Sequence, residues 1–420
     1  DRTTSSVGQQ YLYRHLRSIA ENSWIGKTEE KLIERFQRDS EFRLKVQMEL
    51  SRLKSKESFY ITSLFQDEHL NQPKWLFIAQ MLSAASLASL VLLFFNPAMA
   101  FVLFAIFLVN FGIHYWNKMN LTPYIASIPQ LLKMNSVAKE LYTDEAIKAV
   151  DSELDDSISI LDKVRNRMSF FKLEARLQSD MEALAWGLLE FFKIVFLIEP
   201  ILLFNVLNQL DTKRKEIERV FEFVGKTDIL ISIASLREGL DLYCKPTICV
   251  KFKSLSAGEM YHPLIDHCVR NSIEVNGKSV LLTGSNMSGK TSFIRTIGIN
   301  VISGLTLNTC FAKRFSFPRT NVFSAIRISD DLMNDKSYYF EEVLTIKEMI
   351  NNSLTENLNL FLLDEIFKGT NTIERISAGK AVLTALNKGK NLVFVSTHDI
   401  ELADLLKDEY ELYHFSETVN

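Results

Sequence analysis

One stretch decides the fold of the C-terminal part of the chain: Gly284-Ser-Asn-Met-Ser-Gly-Lys-Thr291. It fits the pattern G-x-x-x-x-G-K-[ST] at every fixed position. The apolar run 279–283 precedes it, and helical spacing follows it at 291–305. A strand, a glycine loop and a helix N-terminus form an anion cradle, because backbone N–H groups and the helix dipole point at the same place. The stretch predicts a nucleotide phosphate site, with a coincidental loop as the alternative.

The pattern also assigns roles to single residues of the loop. Lys290 reaches the β- and γ-phosphates, and Thr291 holds Mg²⁺. The set expected to bind the nucleotide is Gly284, Ser285, Asn286, Met287, Ser288, Gly289, Lys290, Thr291 and Ser292.

Two further apolar runs, 360–363 and 392–395, are followed by polar residues. Asp364-Glu365 follows the first run, at the strand end where ligands lie in parallel α/β sheets. We expect Asp364 to bind Mg²⁺ through water and Glu365 to orient the attacking water. His398 follows the second run and is expected to contact the γ-phosphate or that water. The alternatives are surface acids at a strand end and a structural histidine.

A second unusual stretch, residues 75–117, contains 43 consecutive positions without Asp, Glu, Lys or Arg. Asn96-Pro97 divides it into the segments 75–95 and 98–117, because proline cannot continue the first helix. Each segment has about the 20 residues needed to cross a bilayer core of about 30 Å. The stretch predicts a transmembrane helical hairpin. The alternative is a buried hairpin in a large soluble core.

The residues around this stretch suit a membrane and indicate its orientation. Trp75 and Tyr115-Trp116 lie near its ends, as in the aromatic belts of membrane proteins. The outer flanks are basic, whereas the turn carries no charge. By the positive-inside rule both ends then lie in the cytoplasm. The basic residues are Arg52, Lys54, Lys56, Lys74, Lys118 and Lys133.

A weaker apolar run, 191–207, contains Lys193 and Glu199-Pro200. We interpret it as a core helix that is broken near Pro200, with a membrane segment as the alternative. The remaining residues before Pro246 have mostly helical spacing and interleaved charges, which is typical of long helices with solvated faces. Residues 247–252 are expected to form a short strand.

The composition limits the class of protein. The chain has 420 residues, of which 47% are hydrophobic and 24% charged, so it can build folded cores. Its net charge of −3 does not favour a protein that binds nucleic acid through a large basic surface. The cysteines show no metal spacing and are expected to be buried free thiols in a reducing compartment. They are Cys244, Cys249, Cys268 and Cys310. The chain begins with Asp1, so we expect it to be part of a longer protein.

Together these motifs resemble the ATPase domain of the MutS family, within the ABC class of ATPases. Thr283-Gly-Ser-Asn-Met-Ser-Gly-Lys-Thr-Ser292 is similar to the family's TGPNMGGKST loop. Asp364-Glu-Ile-Phe-Lys-Gly-Thr-Asn371 resembles DEIGRGTS, and Ser396-Thr-His398 resembles the ATH switch. Tyr261-His-Pro263 and Cys310-Phe-Ala312 resemble the family's HP motif and FVPA segment.

The resemblance covers 1–74 and about 120–420. It implies ATP and Mg²⁺ as cofactors, ATP hydrolysis, and a homodimer formed through the ATPase domains. The stretch 337–342 is similar to STFMxEM, which implies that Ser337 is offered in trans to the neighbour's ATP.

The chain departs from the family in four ways. The mismatch-reading N-terminal domain is absent from this chain, and Ser285 and Ser288 replace Pro and Gly in the phosphate loop. The hairpin occupies the position of the DNA clamp, and Phe367-Lys368 replaces Gly-Arg.

The expected architecture is an α/β ABC-type P-loop ATPase domain that follows a long-helix, all-α core with an inserted transmembrane helical hairpin. The helical core spans 1–74 and 118–246, the hairpin 75–117 and the ATPase domain 247–420. The expected function is a membrane-anchored MutS-like ATPase that switches conformation in a dimer, with its ATPase domain on the cytoplasmic side of an inner or cytoplasmic membrane.

DNA is a further expected ligand by family resemblance, although the net charge does not support it. The alternatives are an ATP-dependent membrane switch without DNA and a transport-linked ABC ATPase. Two membrane helices per chain are too few for a translocation path.

Overall fold

The computed structural model describes residues 2–19, 25–66, 76–165, 168, 183–285, 288–326 and 338–416, without the side chains of 120, 122 and 183–186. The chain divides into two compact units. Unit 1 comprises Asp1–Arg14 and Lys27–Ser235, and unit 2 comprises His15–Gly26 and Leu236–Asn420. The expected combination of a helical part and an α/β part is confirmed. The assignment of three functional domains stays a prediction.

Helices make up the described residues between Ser6 and Glu238. Asp39 and Asp144 cap α3 and α6 by accepting hydrogen bonds from first-turn N–H groups. The elements are α1 (Ser6–Arg17), α2 (Lys27–Arg38), α3 (Ser40–Ser51), a 3₁₀ helix (Lys56–Leu64), α4 (Leu76–Leu92), α5 (Met99–Leu141), α6 (Glu145–Lys148), α7 (154–165), α8 (Ala183–Phe196), α9 (Ile198–Asp211) and α10 (Arg214–Glu238).

The apolar stretch forms two helices with a turn at the predicted place. Asn96 Oδ1 accepts a hydrogen bond from the backbone N–H of Ala98 (3.0 Å), which stabilises this turn. However, α5 does not end near residue 117 as predicted. It continues to Leu141 through Pro123 and Pro129. Among the described residues, one segment, Met99–Met119, is long and apolar enough to cross a membrane, by length and composition only; α4 is shorter.

The run 191–207 also differs from its prediction. The helix breaks at Leu197, which has a left-handed φ of 48°, and not at Pro200. Pro200 lies in the first turn of α9, where its missing N–H removes no helical hydrogen bond. The predicted core position is right for α9, whose Leu203 and Leu207 are buried, but wrong for the exposed Phe191 and Phe192 of α8.

Unit 2 contains two sheets within its described residues. The strands β1 (Thr247–Cys249), β2 (Ser254–Met260), β3 (Asn271–Asn276) and β5 (Arg314–Pro318) form a mixed sheet in the order β1-β5-β2-β3. The strands β4 (Ser279–Gly284), β6 (Asn321–Ala325), β7 (Asn359–Asp364), β8 (Leu392–Ser396) and β9 (Tyr410–Phe415) form a parallel sheet in the order β6-β7-β8-β4-β9.

Both faces of the parallel sheet are covered, as continuous apolar strands require. Leu282 and Leu362 face one core with α11 (Lys290–Leu307), whereas Leu281 and Leu363 face the other. The second core is closed by α12 (Tyr338–Ser353), α13 (Thr372–Leu386) and α14 (Ile400–Leu406). Helix α11 approaches β7 closely at Gly298, where a Cβ would lie 2.6 Å from Leu362 Cδ1. This packing places the start of α11 at one edge of the sheet.

Candidate functional site

Three neighbouring strands of the parallel sheet end at the same edge. The strand pairing aligns Leu282 of β4 with Ser396 of β8, and Ser396 with Asp364 of β7. Gly284 ends β4 at this edge. The structure therefore brings together the three polar strand ends that the sequence analysis identified separately. The carboxyl edge of an open α/β sheet is where ligands bind.

The loop after β4 depends on its two glycines. Gly284 and Gly289 have φ values of 142° and 96°, which favour glycine. A Cβ at position 284 would also lie 2.5 Å from the carbonyl oxygen of Phe415. Ser288 Oγ donates a hydrogen bond to the carbonyl oxygen of Ser285 (2.9 Å) and closes the turn. Asn286 and Met287 lie outside the described residues.

Lys290 lies at the first position of α11 and is buried. Its Nζ donates hydrogen bonds to the carbonyl oxygens of Gly284 (2.8 Å) and Ser285 (2.7 Å). The ammonium group is thus held against the loop, next to the N–H groups at the helix N-terminus that have no partner within the helix. These groups form a positive concave surface suited to phosphate.

Thr291 and Asp364 bring two oxygen-bearing side chains into contact. Thr291 Oγ1 donates a hydrogen bond to the Asp364 carboxylate, at 2.9 Å from Oδ2 and 3.1 Å from Oδ1. Ser396 Oγ also donates to Asp364 Oδ1. A hydroxyl and a carboxylate fit a small divalent cation such as Mg²⁺, which binds few protein oxygens and keeps the rest of its shell for water and phosphate.

Glu365 adopts a strained backbone conformation beside this pair. Its φ is 52°, and its N–H donates to the carbonyl oxygen of Ser396 (3.1 Å). One carboxylate oxygen forms an ion pair with Lys368, and the other lies 2.5 Å from His398 Nε2. Partial burial alone raises the pKa of Glu365. The hydrogen bond and charge of Lys368, with His398, outweigh burial and hold this pKa below its usual range.

A cavity of about 500 Å³ opens beside the glycine loop. Ser288, Gly289 and Ser292 line its loop side, so Ser292 faces the cavity rather than the Asp364 carboxylate. Aromatic and polar side chains of other elements complete the wall, among them Tyr261, His267, Phe293 and Phe415. Its volume and mixed lining are typical of a small-molecule site.

Residues 280–420 match the family model of MutS domain V. The chain is similar to MutS-family proteins in its C-terminal part. It is 31% identical over 209 residues to the DNA mismatch repair protein MutS of Petrotoga mobilis, covering 47% of this chain and 25% of that protein. It is 25% identical over 301 residues to the DNA mismatch repair protein MSH3 of Saccharomyces cerevisiae, covering 69% and 29%.

A third relative, the DNA mismatch repair protein MutS of Methanococcoides burtonii, is 26% identical over 59% of this chain and 28% of its own length. The chain therefore spans between a quarter and three-tenths of the length of these three relatives. The resemblance to the MutS family predicted from the motifs is confirmed.

Two motifs that the MutS resemblance identified lie in contact. The backbone N–H of Tyr261 donates to the carbonyl oxygen of Phe311 (3.0 Å), and the two rings pack with centroids 6.1 Å apart. The HP and FVPA segments therefore pack against each other, and Tyr261 of the HP segment lines the cavity. Ser337, which the resemblance assigns to the neighbour's ATP, lies outside the described residues.

The sequence analysis missed Glu342. Its side chain is buried, with 2% of the residue exposed. Its Oε1 accepts a hydrogen bond from the backbone N–H of Phe367 (2.8 Å). Burial raises its pKa. Glu342 supports the turn that follows Glu365. Helical spacing could have identified it, because Glu342, Ile346 and Met349 share the buried face of α12.

The sequence analysis also missed the ion pair between Arg375 and Asp399, next to His398. Arg375 donates two hydrogen bonds to Asp399, at 2.9 Å from Nε and 2.7 Å from a terminal nitrogen. Asp399 is the residue after His398, and its own N–H donates to Thr397 Oγ1 (3.0 Å). Bidentate pairs of this kind fix geometry. The arrangement therefore positions the segment that carries His398.

Proposed function

We propose that this chain is a membrane-anchored MutS-like ATPase that binds and hydrolyses ATP in a dimer to switch its conformation. One observation carries the proposal: the glycine loop, the Thr291–Asp364 pair and the Glu365–His398 pair meet at one sheet edge. Each group supplies one part of phosphoryl-transfer chemistry, and catalysis of this kind depends mainly on positioning and electrostatics.

The residues divide the chemistry between them. The N–H groups of the loop and of α11 bind the phosphates, and Lys290 neutralises the β- and γ-phosphate charge. Thr291 and Asp364 would hold Mg²⁺, and the ion would offset negative charge on the phosphate oxygens. Glu365, kept ionised by its neighbours, accepts a hydrogen bond from the attacking water and orients it. His398 holds the Glu365 carboxylate in place.

The cavity beside Ser292 is the proposed place of the nucleoside. It adjoins the loop, so a base there can stack on the aromatic wall while its phosphates lie in the cradle. By family resemblance, Ser337 and the segment 369–371 face the second protomer. Each site is then complete only in the dimer, which couples ATP binding to a change in assembly.

Substitution Glu365→Gln tests this function. The amide keeps the shape of the side chain but cannot act as a base, so we expect turnover to fall at least about 100-fold. ATP binding should persist, and the variant should accumulate as an ATP-dependent dimer in light scattering. Glu356→Gln is the matched control, because Glu356 is highly exposed and lies outside the site. Normal turnover of Glu365→Gln would refute the catalytic assignment.

Membrane anchoring is supported by α4 and the first part of α5. Met99–Met119 spans about 31 Å at 1.5 Å per residue, and 11% of its most apolar part is buried. Its exposed side chains include Phe101, Phe104 and Leu108. An exposed apolar surface of this size is typical of contact with lipid or a partner.

DNA binding is the second candidate function, and the names of the relatives favour it. These relatives are DNA mismatch repair proteins, of which this chain spans at most three-tenths. The net charge of −3 argues against a large phosphate-binding surface. A salt titration of binding to duplex DNA distinguishes a DNA-binding ATPase from one without a DNA ligand. A steep salt dependence supports DNA as a ligand, whereas no binding at low ionic strength excludes DNA as a ligand of this chain.

A further inference from the structure

Helix α8 presents an apolar face to the outside of unit 1. Leu188, Phe191 and Phe192 are 55%, 50% and 51% exposed. Helix α9, which follows after the break at Leu197, is instead buried along Leu203, Val206 and Leu207. The two halves of the run 191–207 therefore have different surroundings.

The exposed face of α8 continues the apolar surface of α5. The rings of Phe107 and Phe191 lie 5.6 Å apart, and Phe191 packs against Phe192 at 6.1 Å. The exposed Phe104, Leu108 and Phe111 belong to the same region of α5. An isolated exposed phenylalanine needs no explanation, but a continuous surface over two helices does.

The charged residues of α8 point inward and its apolar residues outward, whereas a helix on the surface of a soluble protein has the opposite arrangement. Lys193 is fully buried, and its Nζ lies 2.8 Å from Glu190 Oε2 and 2.7 Å from Glu199 Oε2. Glu190 also lies 3.2 Å from His114 Nε2 and 2.8 Å from Lys118 Nζ. Charges paired in the interior beneath an apolar exterior are typical of protein in lipid.

The break at Leu197 is supported from α5. The Asn110 amide donates a hydrogen bond to the carbonyl oxygen of Val195 (2.8 Å), near the end of α8. Helix-end carbonyl groups lack a partner within the helix, and in an apolar layer each needs one from the protein. Asn110 supplies it without exposing a polar group, because it is itself buried.

We propose that α8 dips into the lipid layer beside α5 and that its exposed face contacts lipid acyl chains. The proposal rests on the proposed membrane anchoring of α5. At 14 residues, or about 21 Å, α8 is too short to cross a bilayer core. Glu190 forms an ion pair with Lys118 at the end of the apolar segment, and the carbonyl oxygen of Val195 accepts a hydrogen bond from Asn110. Helix α8 thus reaches about 12 Å along α5, eight residues at 1.5 Å each.

Lipid fits this face better than a protein partner does. The face is uncharged, and the exposed aromatic Tyr115 and Trp116 lie beside Lys118 at one end. Such a border of amphipathic rings and a lysine is typical of the headgroup level. A protein interface would instead be expected to carry a polar rim around its apolar centre.

Environment-sensitive labels at three positions test the inference. Single cysteines replace Phe192 on α8, Phe104 on α5 and the exposed Met48 on α3 in a full chain whose native cysteines are replaced. Each is labelled with a nitrobenzoxadiazole dye in phosphatidylcholine–phosphatidylglycerol vesicles. For Phe192→Cys we expect blue-shifted emission and a loss of emission with doxyl-acyl lipids comparable with that of Phe104→Cys. Met48→Cys should show neither effect.

The outcomes separate the inference from the anchoring on which it rests. If Phe104→Cys is quenched by doxyl lipids and Phe192→Cys is not, α8 lies outside the acyl region and the inference is wrong. This includes a Phe192 label shielded from aqueous iodide yet not quenched by doxyl lipids, which indicates a protein or a second copy as the occupant. If neither site is quenched, the anchoring itself fails.

A second measurement uses the unmodified chain. Reconstitution with lipids that carry a diazirine on the acyl chain, followed by illumination and peptide mapping, should give adducts on 188–192 as well as on α5. Adducts on α4 and α5 without any on α8 would overturn the inference. The result does not depend on the folding of a variant.

Discussion

At the scale of single residues, the state of Glu365 is set by two neighbours. Burial raises its pKa, but Lys368 and then His398 lower it below the usual range. The carboxylate is consequently ionised at neutral pH and able to orient water. The sequence predicted the role of Glu365 and noted Lys368 only as a departure from the family motif.

Lys368→Met tests this balance. Removing the ammonium group raises the pKa of Glu365, so the acidic limb of the ATPase pH–rate profile should move to higher pH. Lys368→Arg keeps the positive charge and should leave the limb in place. An unchanged limb in Lys368→Met would mean that the pair does not control this carboxylate during turnover.

Phe367 combines a left-handed backbone with a buried ring. Its φ is 60°, and its side chain is 6% exposed next to Tyr339. Loss of a buried Phe ring costs about 3–5 kcal/mol, whereas relief of the left-handed conformation returns about 1–2 kcal/mol. We therefore expect Phe367→Gly to lower the free energy of unfolding by about 1–4 kcal/mol in urea.

Phe367→Ala separates the two contributions. It loses the same ring but keeps the strain, so it should be less stable than Phe367→Gly by about 1 kcal/mol. If the alanine variant is the more stable of the two, the strain at this turn is not relieved by glycine.

At the scale of elements, α1 and α10 pack within unit 1 at a glycine contact. Asp228 accepts hydrogen bonds from the N–H groups of Thr4 (2.9 Å) and Ser5 (2.8 Å) at the start of α1. A Cβ at Gly8 would lie 2.1 Å from Asp228 Oδ2. A side chain at this position and the hydrogen bonds of Asp228 exclude each other.

Gly8→Ala should accordingly lower the free energy of unfolding by at least about 2 kcal/mol, because overpacking and a disturbed buried carboxylate both destabilise. Gly112→Ala on α5 is the control, since nothing lies within 4 Å of its Cβ position. Alanine there should be neutral or stabilising through helix propensity. Thermal unfolding followed by circular dichroism measures both. Equal effects at the two positions would contradict the close-packing account.

The apolar elements show where helical periodicity misleads. The sequence analysis placed a boundary at residue 117, where charged residues resume. Helix α5 nevertheless continues to Leu141, because the return of charged residues does not end a helix. Pro123 and Pro129 lie inside α5 without ending it. The exposed face of α8 escaped prediction because Glu190 pairs with His114 and Lys118 of α5, which are 76 and 72 residues away in the sequence.

At the scale of the whole molecule, membrane anchoring makes a prediction about extraction. The chain should stay in the membrane pellet after alkaline carbonate treatment and leave it with detergent. Phe104→Lys with Leu108→Lys should weaken insertion, because a lysine at the centre of a membrane helix costs about 2.5–3.5 kcal/mol. Leu44→Lys with Met48→Lys, on the exposed side of α3, should have no such effect. Release of the unmodified chain by carbonate would contradict the anchor.

The sequence by itself determined the glycine loop and the apolar stretch. Both are local: glycine spacing sets a loop whatever surrounds it, and a charge-free run of 43 residues is visible without any contact. Only the tertiary structure decided which side chains act on Glu365, why position 8 has room only for glycine, and which face of α8 is exposed. These depend on groups brought together from distant positions by sheet pairing and helix packing, and neither periodicity nor composition encodes such distances.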